Sequence, residues 1–261
     1  MNQSLTNIEK YLPFLENSSA ANSDSDWLSK LKAEGAKNFE RLGFPTARKG
    51  NERWKYTDVG PIARSDFEFG YGVEPAYVSP DTVTQSVPTG PNWHQLVLVD
   101  GVFSESLSSK VLATPEIEIS SLSKALDCNN KAIREYLAKS ISPDSDGFVA
   151  LNTAALREGI FLHIAPNAKI EHPIHLIFIS TGLKQITISN PRILLLAESG
   201  SRTTVIETYA ALSENKYFTN CVSEIVLQEN ATIDHYRLQN ESESAFHVTN
   251  AKVSQSSGST Y

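Results

Sequence analysis

The sequence predicts a mainly β fold, a parallel β-helix or similar stacked β-solenoid behind an N-terminal helical region, and three observations point there. A turn of polar residues leading into a small one recurs at Pro166-Asn167-Ala168, Ser199-Gly200-Ser201, Glu229-Asn230-Ala231 and Ser257-Gly258-Ser259. Its middle residues, 167, 200, 230 and 258, step by 33, 30 and 28, the regular spacing of stacked structural repeats. Around these turns lie short apolar runs rich in β-branched residues, at 160–164, 174–179, 193–196, 204–206, 225–227 and 246–248. No helical period separates them, so alternating strand–helix units do not fit. A β-sandwich, which also uses short strands with regular turns, is the alternative.

The last turn, Ser256-Ser257-Gly258-Ser259, nearly rewrites Glu198-Ser199-Gly200-Ser201, yet only Thr260 and Tyr261 follow it. Stacked repeats bury their apolar faces against their neighbours, so a solenoid ends in a cap with a polar outer face. The 261 residues are therefore expected to be the N-terminal part of a longer protein.

Taken in order, the elements begin with two helices in the first 45 residues. Leu5, Ile8, Leu12 and Leu15 share one helical face. A second helix opens at a Ser23 or Asp24 cap, holds Leu28, Leu31, Phe39 and Leu42 on one stripe, and ends at Gly43 and Pro45. Residues 46–57 are dense in charge, and Trp54 and Tyr56 are expected to anchor them by burying their rings. The prolines at 61, 75, 80, 88 and 91 make 60–92 read as loop or linker. A strand at 95–99, the turn Asp100-Gly101 and Val102-Phe103 form a hairpin. Helices follow at 121–126 and 130–139, the second with Ile133, Tyr136 and Leu137 on one face. Pro143-Asp144-Ser145-Asp146-Gly147 then breaks the chain; Asp144 and Asp146 lack the remaining ligands of a calcium loop and read as a solvated turn. Three regions result: a helical and loop region at 1–92, a mixed α/β connection at 93–158, and a β-helix core at 159–261, incomplete at its C-terminal end.

Composition narrows the function. A hydrophobic content of 40% supplies a buried core. The net charge of −7, with Lys and Arg scattered, opposes a nucleic-acid partner, which asks for clustered basic surface. The N-terminus lacks the basic start and apolar stretch of a secretion signal, and the longest apolar run, 193–197, is too short for a membrane span. Cys128 and Cys221 lie 93 positions apart and outside any CxxC pair, which fits a reducing cytoplasm. Both are expected to be buried structural thiols.

Catalytic signatures are missing. There is no phosphate-binding glycine loop, no GxGxxG, no GxSxG elbow and no HExxH. His163, His172 and His175 are close in sequence, but residues three apart on a strand face opposite ways and Pro173 interrupts, so no metal is assigned. His235 and His247 look isolated. Glu171, Glu207 and Asp234 are the carboxylates nearest the repeats, at non-equivalent positions, and make no acid/base pair by themselves. No catalytic or metal-binding residue is assigned, and cofactor-binding residues stay open.

The segment from Arg48 through Asn51-Glu52-Arg53-Trp54-Lys55-Tyr56-Thr57, after the turn Gly43-Phe44-Pro45-Thr46, resembles the N-terminal signature of the SufB/SufD family, on its SufD side. Pro166-Asn167-Ala168-Lys169-Ile170-Glu171-His172-Pro173-Ile174-His175 resembles that family's entry into its β-helix, and His235-Tyr236-Arg237-Leu238-Gln239-Asn240-Glu241 with Ala245-Phe246-His247 resembles a further coil. The resemblance implies a right-handed parallel β-helix. It also implies a non-enzymatic scaffold subunit of the SufBCD complex for iron–sulfur cluster assembly, with a SufB-like paralogue and a SufC-like ATPase as partners. A homodimer is a further possible association, and a SufB-like identity or a β-helix enzyme acting on polysaccharide or acyl substrates are the alternative readings. In the family, ATPase docking and the cluster-linked Cys and His lie late in the sequence, beyond Tyr261. No cluster ligand is therefore carried over, and a cluster is expected only in the full complex.

Overall fold

A computed structural model describes residues 8–13, 15, 25–45, 52–70, 77–109, 113–182 and 186–261. In its first half the elements are α1 (Asp26–Leu42), a single 3-10 turn (Glu52–Trp54), α2 (Gly60–Arg64), β1 (Glu68–Phe69), α3 (Pro80–Ser86), β2 (His94–Val99), β3 (Val102–Ser104), β4 (Ala113–Thr114), β5 (Ile117–Ser121), α4 (Leu122–Asp127), α5 (Lys131–Tyr136) and α6 (Gly147–Ala154). Strands alone follow: β6 (Gly159–Ile164), β7 (Ile174–Ser180), β8 (Thr187–Ser189), β9 (Arg192–Ala197), β10 (Arg202–Ala211), β11 (Phe218–Leu227), β12 (Thr232–Asn240) and β13 (Phe246–Gln255). They divide into two compact units, Met1–Asp66 with Ile141–Leu156, and Phe67–Ser140 with Arg157–Tyr261.

The first unit is helical. α1 buries Leu28, Lys32, Gly35 and Phe39, a stripe at steps of four, three and four. At Gly35 it meets α6 so closely that a Cβ would lie 2.6 Å from the Ala154 amide nitrogen, and only glycine fits. Gly43 ends α1 in the left-handed region (φ 63°), its N–H returning to the Phe39 carbonyl, as expected. The proposed caps Ser23 and Asp24 lie outside the described residues, and Ser25 stands at the cap position. Most of the first expected helix also lies outside them; of its face, Ile8 and Leu15 are buried with Tyr11. α6 is buried on every side, which erases the 3.6-residue period by which it could have been found.

Two expectations about this unit need correction. Trp54 is anchored, its Nε1–H donating to Asp146 Oδ2 at 3.0 Å and its ring centroid 5.3 Å from that of Phe148. Tyr56, however, is 90% exposed. The 3-10 turn ends at Trp54, and Tyr56 projects from the turn beyond it with Lys55 near its ring. Asp146 is no solvated turn residue either: it is buried and caps α6, accepting the Phe148 N–H at 2.8 Å. Asp144 is exposed.

The stretch 60–92 is likewise not all loop. α2 and α3 each carry proline in the first turn, where its missing N–H costs nothing. The Ser79 hydroxyl caps α3 by accepting the Thr82 N–H. Ser121 and Asn130 cap α4 and α5 in the same way.

The second unit is the parallel β-helix, of about three turns. One sheet runs β12-β10-β7-β2-β3, the other β1-β8-β11-β9-β6-β5-β4, with β13 also on β11. All long pairings, β10 with β7 and β12, and β11 with β9 and β13, are parallel. Antiparallel strands close the N-terminal end, where β3 returns along β2 through the Asp100-Gly101 turn and β5 pairs β6. β8 and β9 pair successive parts of β11, so they are one strand interrupted at Asn190-Pro191.

The repeated turn is a stacked corner. Asn167, Gly200, Asn230 and Gly258 all have positive φ, 61°, 67°, 59° and 68°. That is the conformation the third residue of a type II turn requires, and Asn and Gly are the residues that tolerate it. The first three hydrogen-bond the next coil: Asn167 N–H to the Ser199 carbonyl (2.9 Å), Gly200 N–H to Glu229 (2.8 Å) and Asn230 N–H to Ser257 (3.0 Å). Inside, Leu96, Leu98, Ile117, Ile119, Ile160, Leu162, Leu176, Ile193 and Leu195 form an apolar core. Outside the first sheet, Val78, Val83 and Val87 cover Val97, Val99, Ile177 and Ile179.

Candidate functional site

The inner residues change character along the stack. Early coils put Leu, Ile and Phe178 into the lumen, whereas β10, β11 and β12 add Glu207, Tyr209, Cys221, Ser223, His235 and Arg237. The period explains their meeting, since Glu207 and Arg237 are 30 positions apart and are direct register partners on β10 and β12.

Glu207 is the centre of this cluster and is fully buried. Its Oε2 accepts from Arg237 Nε at 2.8 Å and from the Tyr209 hydroxyl at 3.1 Å. Its Oε1 lies 3.0 Å from His235 Nε2, out of hydrogen-bond alignment. Burial alone would raise the Glu207 carboxyl, but His235 and Arg237 outweigh it and hold the group below the usual carboxylate range. Tyr209 in turn lies 3.3 Å from Cys221 Sγ. Burial, with the Glu207 charge nearby, pushes the Cys221 thiol up to about 11. A thiol so placed stays protonated at neutral pH and is a poor nucleophile. The cluster therefore holds a carboxylate that is ionised at neutral pH inside the solenoid, with its charge compensated.

A second polar group lies beside it. His247 Nδ1 contacts Glu241 Oε2 and its Nε2 contacts Thr249 Oγ1, both at 2.7 Å, while its ring stands edge-on to Tyr209 at 4.5 Å. His235 and His247, which look isolated in the sequence, are thus each paired with a carboxylate. The other histidines are dispersed. His163 meets Glu198 at 2.8 Å. His175 is buried on the outer face of β7, its Nε2 2.7 Å from Thr208 Oγ1 and its ring edge-on to Trp93. His172 faces His94, 6.3 Å between ring centroids. Among the described residues no three His, Cys, Asp or Glu side chains gather where they could share a metal ion.

Glu171 and Asp234 do come together, away from Glu207, on an open groove of about 270 Å³ that Lys169 and Arg202 also line. Arg202 reaches Asp234 at 3.7 Å. Cys221 is buried as expected, but Cys128 is exposed, because it follows the last turn of the short surface helix α4. Sequence reasoning passed over a buried pair on the second sheet, Arg192 and Glu224, 2.5 Å apart. Strands of neighbouring coils carry them, and the coil spacing was the signal that could have found them. Among the described residues no helix is long and apolar enough to cross a membrane.

Comparison with known proteins agrees with this architecture. Residues 6–176 match the family model of the SufBD protein N-terminal region, and residues 178–261 match that of the SUF system FeS cluster assembly, SufBD core domain. An iron-sulfur cluster assembly SufBD family protein of Synechocystis is 30% identical over 98% of this chain and 57% of its own length. The chloroplastic protein ABCI7 of Arabidopsis thaliana is 27% identical over 93% of the chain and 50% of its own length. The assembly protein SufD of Bacillus subtilis is 21% identical over 52% of the chain and 31% of its own length. The chain spans about half the length of the first two of these relatives. With both family models matched and the stacked β-coils in place, the chain belongs to the SufBD family of the SUF iron–sulfur cluster assembly system.

Proposed function

We propose that this chain serves as a scaffold subunit, on the SufD side of the family, in a cytoplasmic complex that assembles iron–sulfur clusters. It acts there by protein–protein contact rather than by catalysis. The observation that carries this reading is the match of both family models along nearly the whole chain. The charge-compensated network around Glu207 and the raised Cys221 thiol are consistent with a structural role, since the buried carboxylate is engaged by Arg237 and Tyr209 and the protonated thiol is a poor nucleophile at neutral pH. Its partners are a SufB-like paralogue and a SufC-like ATPase, and the cluster is the cargo of the whole complex, not a ligand of this chain alone. The test is affinity purification of the full-length protein from its own cells. Recovery of an ATPase subunit and a paralogous β-helix subunit at comparable amounts is expected. Recovery of neither, or robust turnover of polysaccharide or acyl donors by the purified chain, would sink the reading.

A further inference from the structure

The six histidines fall into two groups. His163, His235 and His247 each face a carboxylate, Glu198 at 2.8 Å, Glu207 at 3.0 Å and Glu241 at 2.7 Å, which compensates a proton gained by the ring. His94, His172 and His175 gather instead at the start of the β2–β7 pairing, and among the described residues none of them is paired with a carboxylate. His94 and His172 face each other, 6.3 Å between ring centroids, beside the first ladder bond, from the His94 N–H to the Pro173 carbonyl at 3.0 Å. His175 follows on β7, fully buried, its Nδ1 without a partner and its Nε2 2.7 Å from Thr208 Oγ1. The Trp93 ring stands edge-on to it at 5.4 Å. Its register partners are Gln95 and Ile206, so neither neighbouring strand sets a charge beside it there.

We propose that these three imidazoles make the start of the β2–β7 pairing an acid-released latch, closed while they are neutral and opened when they take up protons. A proton on His94 is opposed by one on His172, and His175 takes up a proton readily only when its ring reaches water. Burial, and after it the His172 charge, holds His94 below its ordinary value, and burial pushes His175 down to about 4. A ring that is depressed when closed and ordinary when open binds its proton on opening, so the open form gains as pH falls. At pH 5.5 an imidazole with the ordinary value near 6.5 is about ten to one protonated. Each ring that gains its proton only on opening therefore favours the open form by up to about ten-fold. Glu171, the neighbour of His172 along the chain, lies on the groove with Lys169 and Arg202. Opening breaks the ladder at His94, frees Trp93 and bares the start of the first sheet, while the carboxylate-paired histidines stay in place. The latch stands on these residues alone and does not depend on the assembly role.

The test is backbone amide exchange of the full chain at pH 7.5 and 5.5, corrected for the intrinsic rate at each pH. Protection of the 94–97 amides is expected to fall at least about ten-fold between the two, while that of the β9 and β11 amides holds within about two-fold. His94→Gln/His172→Gln should shrink the fall, and adding His175→Gln should remove it to within about two-fold. His163→Gln, taken from a carboxylate pair, should leave the fall whole. No fall in the unaltered chain, an equal fall throughout both sheets, or a fall as large in the double or triple variant as in the unaltered chain would each overturn the proposal.

Discussion

Removing the Glu224 carboxylate should destabilise the β-helix more than any surface change, and the structure says by how much. Glu224 and Arg192 are both 0% exposed on the outer face of the second sheet. The carboxylate accepts Arg192 Nε at 3.1 Å and its terminal nitrogen at 2.5 Å, and also the Ala138 N–H (2.8 Å), the Ser140 N–H (3.0 Å) and the Ser140 hydroxyl (2.9 Å). These bonds hold Ala138 at φ 58°, a region an alanine seldom occupies. Burial would raise the Glu224 carboxyl, but Arg192 and the N–H donors hold it below the ordinary range. Glu224→Leu removes the carboxylate that faces a buried guanidinium, at a cost of about 3–5 kcal/mol. Arg192→Met strands the carboxylate at a similar cost. The double variant removes both charges, so its cost reduces to the lost hydrogen bonds of the 138 and 140 amides, about 1–3 kcal/mol each. A double-mutant cycle by urea unfolding should therefore show a coupling of at least about 2 kcal/mol, and amide exchange at 138 and 140 should quicken in both variants lacking Glu224. Additivity within about 0.5 kcal/mol would refute the reasoning, because it would mean the two charges do not depend on each other.

Three further outcomes follow from the same structure. His175 is fully buried, and burial pushes its imidazole down to about 4 from 6.5, so the unfolded chain protonates first as pH falls. Unfolding free energy should drop by about 3 kcal/mol between pH 6.5 and 4 on its account, and a pH series of urea midpoints in which His175→Gln leaves that slope unchanged would contradict it. Gly200→Ala places a Cβ at φ 67° and 2.6 Å from Asn167 Oδ1, and should cost about 1–3 kcal/mol by thermal unfolding, whereas Ala at exposed Ser199 should cost under about 0.5. Asp146→Ala removes the α6 cap and the Trp54 partner together, for about 2–3 kcal/mol and an altered Trp54 emission; Tyr56→Ser, at a 90% exposed ring, should change stability by less than about 0.5 kcal/mol in the same chemical unfolding.

The legible parts of this protein are those decided within a few residues. Asn167, Gly200, Asn230 and Gly258 could be read as turns because positive φ selects Asn and Gly whatever surrounds them. The hairpin at Asp100-Gly101 and the helix starts at 121 and 130, which Ser121 and Asn130 cap in the structure, belong to the same class. Pro61 and Pro80 misled because proline both breaks chains and starts helices, and only the following residues' packing separates the two. α6 was invisible because burial on all sides leaves no polar face to mark a period. Of the candidate residues, Glu207, His235, His247 and Cys221 were named in the sequence, but as separate points. Their partners Arg237, Tyr209, Glu241 and Tyr261 were not singled out as candidates.

By itself the sequence determined that coils stack, where they turn and which family they resemble, because turn chemistry and strand composition are local and repeat. Only the tertiary structure decided which polar side chains meet. The turn-to-turn steps of 33, 30 and 28 are near one another without being equal, and a shift of one residue sends a side chain to the opposite face of the sheet. The register that sets Arg237 beside Glu207 inside the lumen, and Glu224 with Arg192 outside it, follows from how whole coils pack.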